Sequence, residues 1–325
     1  MQNENRYFDK THLDLDLAEE RGLLHRDYLA HCLRWSHVAK FLNQGHKYKD
    51  AIVLDVGCGK TLPLAKLLYV NKMSPKYYVG VDLNKFSIPE MLLGKKIPMS
   101  IWSETDVCSL DPEDVGTYVG TPSNGTIPQT AQFATDGRWF TNDGKVFDLP
   151  NSLVCYEMLE HVHPAYCRKA LLHFKELTAP DCRFFISTPC YNGSAASNHV
   201  NELGYLTLGA LFEDLGYKVE AVYGTFASIS DYQDKLECVP SFDKATGKKV
   251  VETNLVPIFN ALRDYYDTNV LSVIFAPLFP AQSRNCLWEL TKKKGDSALQ
   301  PRLFPALETC PTPWTSHKDW KELAG

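Results

Sequence analysis

The densest group of chemically capable side chains in this sequence is Glu157-x-x-Glu160-His161, with His199 further along the chain. Glu157 and Glu160 are three positions apart, so on a helical turn their carboxylates can share one face. Two carboxylates and two histidines are a plausible ligand set for a divalent cation, and the carboxylate oxygens suit Mg²⁺. A cation there would orient a bound oxygen atom, such as that of a water or a hydroxyl, and lower its pKa. The pattern predicts a metal site at Glu157, Glu160, His161 and His199.

The same group of residues can also act without a metal. Glu160 and His161 can simply organise the turn after a strand, and a glutamate near a helix start is favoured by the helix dipole. His161 or His199 is then a candidate general base, because the pKa of histidine lies near neutrality. Under either interpretation the predicted catalytic residues are His161, Glu160 and His199.

A second group of residues, Leu54-Asp55-Val56-Gly57-Cys58-Gly59, joins a short apolar strand to a helix. Gly57 and Gly59 allow a tight turn and a close approach of the backbone to a ligand. Asp82 ends the next strand, where a carboxylate can accept hydrogen bonds from both hydroxyls of a ribose. The dinucleotide fingerprint needs a third glycine that is absent here, and a phosphate-binding loop needs a glycine where Leu54 stands.

Seven apolar segments, separated by helical patterns, are predicted to be strands. They are 51–56, 77–83, 97–102, 146–156, 182–188, 217–226 and 285–291. Strands that alternate with helices indicate an α/β fold of the Rossmann-like, doubly wound type. We therefore expect a mostly parallel seven-stranded sheet with helices on both faces.

Three parts are expected along the chain. Residues 1–50 would form an N-terminal helical cap, 51–293 the main domain, and 294–325 a Pro-rich C-terminal tail. The main domain would carry an insertion at about 110–146, which is rich in Gly, Thr, Asn, Pro and Asp. A second insertion at about 227–282 would line the side where the acceptor binds.

Composition narrows the possible partners and the location. A net charge of −5 over 325 residues does not favour tight binding to long nucleic acid, although a local basic patch is compatible with it. No apolar run approaches the roughly 20 residues of a membrane span. The N-terminus lacks a signal-peptide pattern, and no cysteines form a CxxC pair, so we expect a cytoplasmic protein with reduced thiols.

In this order the segments resemble class I S-adenosylmethionine-dependent methyltransferases. The resemblance covers roughly residues 50–226 and a final strand near 285–291. Leu54–Gly59 resembles the glycine-rich first motif, Val79–Leu83 the second, and Phe184–Pro189 the fifth strand with its exit. The Glu-x-x-Glu-His motif is similar to that of ubiquinone-pathway O-methyltransferases and of enzymes that methylate the terminal 2′-hydroxyl of small RNA. The insertion at 110–146 departs from the family pattern.

The resemblance implies a role for each residue that would bind the cofactor, S-adenosylmethionine. Asp55 would face the amino group of its methionine part, and Gly57 and Gly59 would line the methionine and ribose. Asp82 would bind the ribose hydroxyls. The remaining contacts implied by the resemblance are Leu83 and Val107 beside the adenine, Asp106 on the adenine amino group, Tyr156 near the sulfonium, and Arg34 on the methionine carboxylate.

The predicted function is methyl transfer to an oxygen or nitrogen of a small molecule or nucleotide. One alternative is a nucleic-acid methyltransferase acting on RNA or modified DNA, although the sequence lacks the Asp/Asn-Pro-Pro-Tyr/Phe motif and a Pro-Cys pair at the fourth strand. Another is a cofactor-binding protein without catalysis, and an NAD-dependent dehydrogenase is a weaker fourth possibility. The sequence leaves the acceptor open, because a fold does not determine its substrate.

Overall fold

The computed structural model describes residues 26–59, 61–84, 99–102, 106–107, 131–133, 139–141, 146–147, 149–242 and 249–293. The helices are α1 Arg26–Asn43, α2 Pro63–Val70, α3 Pro164–Glu176, α4 Tyr205–Asp214, α5 Ile229–Tyr232, α6 Val256–Arg263 and α7 Thr268–Ile274. The strands are β1 Ile52–Val56, β2 Tyr77–Val81, β3 Met99–Trp102, β4 Ala131–Phe133, β5 Trp139–Thr141, β6 Val146–Phe147, β7 Ser152–Tyr156, β8 Arg183–Pro189, β9 Tyr217–Phe226, β10 Val239–Phe242, β11 Lys249–Thr253 and β12 Asn285–Lys292.

The main sheet has seven strands in the order β3-β2-β1-β7-β8-β12-β9. Pairing is parallel from β3 to β8, and β12 is antiparallel to both of its neighbours. This confirms the predicted α/β class and the mostly parallel seven-stranded sheet. The strand order reverses direction between β1 and β7, and ligands of open α/β sheets bind at the carboxyl ends of the strands at such a point.

Helices bury both faces of the sheet. The residues of β1, β2 and β7 are buried along their whole length, which explains why these segments are apolar at nearly every position and do not alternate with polar residues. On one face α3 contributes Leu171 and Phe174 to a core cluster, and on the other face α1 contributes Val38 and Leu42. The carboxyl edge of the sheet is thus held between two packed layers.

The predicted fourth strand, 146–156, was wrong at its start. Val146–Phe147 pairs with β5 in a separate three-stranded antiparallel sheet, and β7 begins at Ser152. Pro150, which has no N–H to donate, lies between the two strands and favours a break there.

The structure describes only some of the segments that the sequence predicted along the chain. The described part of the predicted cap is α1 with a following 3₁₀ turn. The segment predicted to be an acceptor-side insertion, 227–282, contains α5 to α7 and the β10–β11 hairpin. The predicted tail, 294–325, lies outside the described residues. Among the residues described, no helix is both long and apolar enough to cross a bilayer.

Candidate functional site

The glycine turn lies between the carboxyl ends of β1 and β2. Gly57 and Gly59 have φ angles of +70° and +71°, which L-residues with a side chain rarely adopt. The N–H groups of Gly57 and Cys58 both donate to the carbonyl oxygen of Val81, at 2.8 and 3.2 Å. A Cβ at Gly57 would lie 3.3 Å from the Cβ of Met158. The turn is therefore tight, and the two glycines are there for a conformational reason.

Asp82 follows β2 and reaches back to this turn. Its Oδ2 accepts a hydrogen bond from the Gly59 N–H at 2.9 Å, and its Oδ1 accepts from the backbone N–H and the Nδ2 of Asn84 at 2.8 and 3.0 Å. The side chain is buried and its orientation is fixed by these bonds. A carboxylate has about four lone-pair sites, so Asp82 can still accept from one ribose hydroxyl, and a second hydroxyl would replace the side chain of Asn84.

Asp55 lies within β1 and is almost fully buried. Its Oδ2 accepts a hydrogen bond from the phenol of Tyr78. Burial raises the pKa of Asp55 to about 7, the Tyr78 hydrogen bond opposes this rise, and the negative charge of Asp82 adds to it. An ammonium group of a ligand beside Asp55 would lower the pKa of this carboxyl again, because a nearby positive charge favours the ionised form. Asp55 is therefore suited to bind a ligand that carries an ammonium group.

The other predicted cofactor residues are placed around this edge. Leu83 is half-buried beside Asp82, Asp106 is exposed, and Val107 is buried in the core cluster that covers one sheet face. Tyr156 ends β7, is buried, and donates its hydroxyl to the Arg34 carbonyl oxygen at 3.1 Å. Their contacts with a cofactor remain predictions.

Glu157, the residue after β7, is held in a buried polar network. It has a φ of +52°, so it does not continue into a helix. Its carboxylate accepts from Ser187 Oγ at 2.7 Å and from Asn285 Nδ2 at 2.8 and 3.0 Å, and it lies 3.4 Å from Arg34 Nη1. Burial alone would raise the pKa of Glu157, yet these partners together hold it below its ordinary value.

This network corrects two expectations. Glu157 and Glu160 do not share a helical face, because the 3₁₀ turn Leu159–His161 begins only after the left-handed residue at 157. Glu157 is also not within the described cluster of possible metal ligands. That cluster comprises Glu160, His161 and His199, each of which offers a ligand atom within 4.8 Å of the others.

The histidines of the cluster are oriented by hydrogen bonds from Nδ1. His161 Nδ1 lies 3.2 Å from the carbonyl oxygen of Asn198, which can only accept, so this nitrogen carries the proton. Its Nε2 lies 3.8 Å from Glu160 Oε1. His199 Nδ1 contacts the Glu202 carboxylate. A ring nitrogen bonded to a carbonyl or carboxylate is the usual outer support of a metal-ligating histidine.

Glu160 lies at the buried end of the cluster. Its Oε2 accepts from Thr188 Oγ1 at 3.2 Å, and its carbonyl oxygen accepts from the Val200 N–H at 2.8 Å, which brings the His199 loop to it. Burial, and then the negative charge of Glu157, raise the pKa of Glu160 well above its ordinary value. Ionised Glu160 therefore needs a cation, which is the condition for a metal ligand.

Several residues of the site were not singled out by the sequence analysis. They are Tyr78 on Asp55, Ser187 and Asn285 on Glu157, and Glu202 on His199. Asn285 and Glu157 are 128 positions apart, so no local pattern could pair them. Glu202 is three residues after His199. A histidine and a glutamate at this short spacing could have been predicted from the sequence to be in contact.

Comparison with known proteins identifies a family. Residues 27–222 match a family model described as a methyltransferase domain. The matched segment includes α1, the glycine turn, Asp82, Glu157, Glu160, His161 and His199, and excludes β12 with Asn285. Among curated protein sequences none matches significantly.

Solved structures of low sequence identity are also similar to this chain. The 1,6-didemethyltoxoflavin-N1-methyltransferase of Burkholderia thailandensis is 14% identical, with a TM-score of 0.43 over 80% of this chain and 78% of that one. The methyltransferase domain of a bacterial CtHen1-CN is 15% identical, with a TM-score of 0.40 over 81% and 99%. The magnesium protoporphyrin IX methyltransferase of Synechocystis PCC 6803 is 14% identical, with a TM-score of 0.39 over 61% and 74%. The family assignment rests on the family model.

Proposed function

Because the chain belongs to the methyltransferase domain family, we propose that it transfers the methyl group of S-adenosylmethionine to an oxygen or nitrogen of a small molecule or nucleotide. A hydroxyl is the acceptor that the site favours. The observation that carries this preference is the cluster of Glu160, His161 and His199 beside the carboxyl edge of the sheet. Its oxygen and imidazole atoms suit a divalent cation and, through that cation, a hydroxyl oxygen.

The residues at the glycine turn fit the proposed donor. Two left-handed glycines leave the backbone open to a ligand, and Asp82 is fixed where a ribose hydroxyl can donate to it. Among the residues that the structure describes, no cationic side chain offsets the burial of Asp55. An ammonium group would form an ion pair with Asp55, and the ribose of a nucleoside would donate a hydrogen bond to Asp82. S-adenosylmethionine carries an ammonium group at one end and a nucleoside at the other.

The proposed cation would be held by Glu160, His161 and His199. The hydrogen bonds to Asn198 and Glu202 orient both imidazoles, and Thr188 orients the Glu160 carboxylate. When bound, the donor supplies an electrophilic methyl group and the cation lowers the pKa of the acceptor hydroxyl. The chain's own task is then to align the acceptor oxygen with the methyl carbon and to keep water out.

The reaction is an in-line displacement. A lone pair of the acceptor oxygen forms the new bond to the methyl carbon, and the bond from that carbon to sulfur breaks with its electrons left on sulfur. The acceptor proton leaves to a base. His199 is the proposed base if no cation is bound, because it is partly exposed and the contact of its Nδ1 with the Glu202 carboxylate orients the ring.

The acceptor is proposed to be a small molecule or a single nucleotide rather than long nucleic acid. A net charge of −5 gives no general attraction to a polyanion, although a terminal nucleotide of a nucleic acid could still reach the site. We also propose a cytoplasmic location, because the cysteines in the described part of the chain are free thiols, as is usual in a reducing compartment.

Calorimetry of the wild type and of Asp82→Ala tests the donor. We expect S-adenosylmethionine and S-adenosylhomocysteine to bind the wild type, and Asp82→Ala to weaken both by at least tenfold, since two hydrogen bonds to a charged group are lost. A folded wild type that binds neither compound would refute the assignment of the donor.

Titration with Mn²⁺, as a paramagnetic substitute for Mg²⁺, tests the cation separately. The wild type should bind Mn²⁺, and Glu160→Gln should abolish that binding without changing the affinity for S-adenosylhomocysteine. If neither protein binds Mn²⁺ while both bind S-adenosylhomocysteine, the proposed metal site is refuted. The mechanism in which His199 acts as a base without a metal would then be the one to test.

A further inference from the structure

The loop 191–203, which carries His199, is closed at its base. There the N–H of Tyr191 donates to the carbonyl oxygen of Leu203 at 3.0 Å. A loop of this length whose two ends meet forms a compact unit on the surface, and such loops are frequently functional. The position of His199 therefore depends on the points at which this loop is attached to the rest of the protein.

The second half of the loop is attached to the 3₁₀ turn Leu159–His161 through one backbone atom. The N–H groups of Val200 and Asn201 both donate to the carbonyl oxygen of Glu160, at 2.8 and 3.1 Å. A carbonyl oxygen has two lone pairs, so these two bonds use its full capacity. Attachment at a single atom fixes where the loop lies but leaves its orientation free to change.

The side chain of Asn201 supplies a second point of attachment. Its Nδ2 donates to the carbonyl oxygen of Leu159 at 3.1 Å, and the same oxygen accepts from the N–H of Val162 at 3.3 Å. Asn201 is buried, so water competes little for this hydrogen bond. Asn201 thus joins the loop to two successive carbonyl groups of the turn, and two points of attachment fix the orientation of the loop.

A further hydrogen bond between the loop and the turn depends on one of the proposed ligands. Nδ1 of His161 donates to the carbonyl oxygen of Asn198 at 3.2 Å. Because this imidazole can rotate about its own side-chain bonds, it can follow a displaced loop and does not hold the loop in place. Among the described hydrogen bonds between loop and turn, the bond from Asn201 to Leu159 is thus the one made by a side chain that is not a proposed ligand.

The distances in the cluster leave little room for a displaced loop. One ligand atom each of Glu160, His161 and His199 lies within 4.8 Å of the other two. A cation such as Mg²⁺ holds its ligand atoms at about 2.1 Å, so two of them lie at most about 4.2 Å apart. A movement of His199 away from the turn on the order of 1 Å would therefore prevent one cation from contacting all three residues.

We propose that Asn201 is a positioning residue of this cluster: its amide holds His199 where one divalent cation can contact His199, Glu160 and His161 together. The inference rests on the proposed function, since it concerns the cation of the same site. Asn201 acts through His199 and contacts neither the cation nor the acceptor. Removal of its amide should therefore weaken cation binding and leave donor binding intact.

Asn201→Leu tests this role, because leucine has a similar size and no amide. Titration followed by electron paramagnetic resonance should show Mn²⁺ affinity weakened by about tenfold or more. Electron spin echo spectroscopy of bound Mn²⁺ should detect the nitrogen atoms of two imidazoles in the wild type and of one in Asn201→Leu. Calorimetry should place the affinity for S-adenosylhomocysteine within about twofold of the wild-type value, since the described hydrogen bonds of Asn201 all go to the turn Leu159–His161.

Asn151→Leu is the matched control. Asn151 also bonds to the backbone through its side chain, accepting from the Ile52 N–H at 3.0 Å and donating to the Asp50 carbonyl oxygen at 3.1 Å. It precedes β7 at the opposite edge of the sheet, so its loss should leave Mn²⁺ binding unchanged. Asn201→Gln retains an amide and should recover part of the Mn²⁺ affinity. If Asn201→Leu does not fold, Asn201→Ser replaces it, because a serine hydroxyl is too short to reach the Leu159 carbonyl oxygen.

The possible results are distinct. If the variant without the amide binds Mn²⁺ as tightly as the wild type does, through two imidazoles, the positioning role is overturned. If Asn151→Leu weakens Mn²⁺ binding equally, the effect is a general loss of stability and the proposal is overturned as well. A wild type that binds S-adenosylhomocysteine but no Mn²⁺ refutes this inference together with the proposed cation, and leaves the donor assignment intact. A wild type that binds neither refutes the donor assignment too.

Discussion

Tyr78 and Asp55 are hydrogen-bonded across two neighbouring strands although they are not partners in the sheet register. Asp55 pairs with Gly80, and Tyr78 pairs with Val53, yet the Tyr78 phenol donates to Asp55 Oδ2. Glycine at position 80 leaves no side chain beside Asp55 on that strand, and the ring of Tyr78 reaches along the sheet to it. The hydrogen bond fixes the side chain of Asp55, whose burial disfavours the ionised form when no cation is bound beside it.

Asp55→Asn should separate stability from binding. The pKa of Asp55 is raised from 3.8 to about 7, so the folded state holds this proton more tightly than the unfolded chain does. Stability is therefore highest below about pH 4 for this group and falls as pH rises toward 7. Asparagine removes that loss, so the variant should gain up to about 4 kcal/mol at pH 8 by urea unfolding.

The same variant should lose the pH dependence of donor binding. Wild-type affinity for S-adenosylhomocysteine should rise about 20-fold between pH 5.5 and 7.5, because only ionised Asp55, whose pKa is about 7, attracts the ammonium group. Asp55→Asn should bind weakly and without this rise, as calorimetry at several pH values would show. A wild-type affinity that is constant over this range would contradict the role given to Asp55.

Gly57→Ala and Gly45→Ala form a matched pair. Both glycines have a positive φ, +70° and +63°, so alanine costs each about 1–2 kcal/mol of backbone strain. At Gly57 the new Cβ also meets Met158 at 3.3 Å, whereas at Gly45 nothing lies within 4 Å. Thermal unfolding should show a larger loss for Gly57→Ala, and only this variant should weaken S-adenosylhomocysteine binding. Equal losses of thermal stability in both variants would show that backbone strain alone, and not the contact with Met158, determines the effect.

Glu202→Gln should weaken Mn²⁺ binding by about 10- to 100-fold, because His199 loses the carboxylate that orients its ring. Glu176→Gln is the control. It changes the same i, i+3 contact, to His173, on α3 away from the cluster. Electron paramagnetic resonance of bound Mn²⁺ measures both. If Glu202→Gln binds Mn²⁺ as tightly as the wild type does, His199 is not a ligand.

Arg34→Met should destabilise the protein by about 3–5 kcal/mol, since Glu157 would become a buried charge without its cation. The double variant Arg34→Met with Glu157→Gln should recover part of this loss, because Asn285 and Ser187 can still bond to the amide. Chemical unfolding of the wild type, both single variants and the double variant gives the coupling energy. Strictly additive losses would show that the ion pair contributes nothing.

The part of the site that is proposed to bind the donor could be predicted from the sequence, for a physical reason. Gly57, Gly59 and Asp82 act through the backbone turn and the strand ends that carry them, and these features depend on near neighbours in the chain. The buried strands β1, β2 and β7 can likewise be recognised in the sequence as short apolar runs. The order of such segments was sufficient to predict the sheet and the family.

The part of the site that is proposed to act on the acceptor was harder to predict. Spacing placed Glu157 with Glu160 and His161, but a left-handed backbone at 157 turns its carboxylate toward Arg34 and Asn285. Neither of these partners is near it in the chain, and Asn285 lies on a strand that joins the sheet between β8 and β9. The break between β6 and β7 was missed in the same way, because β6 pairs with β5 and not with the main sheet.

By itself the sequence determined the α/β sheet, the glycine turn with its two acids, and membership of a methyltransferase family, because each depends on periodicity and short spacing. The tertiary structure decided which charges meet. It separated Glu157 from the cluster of Glu160, His161 and His199, and it brought Arg34 of α1 against Tyr156 and Glu157. Ion pairs of this kind arise from contacts between distant segments, and those contacts exist only once the sheet and its helices have packed.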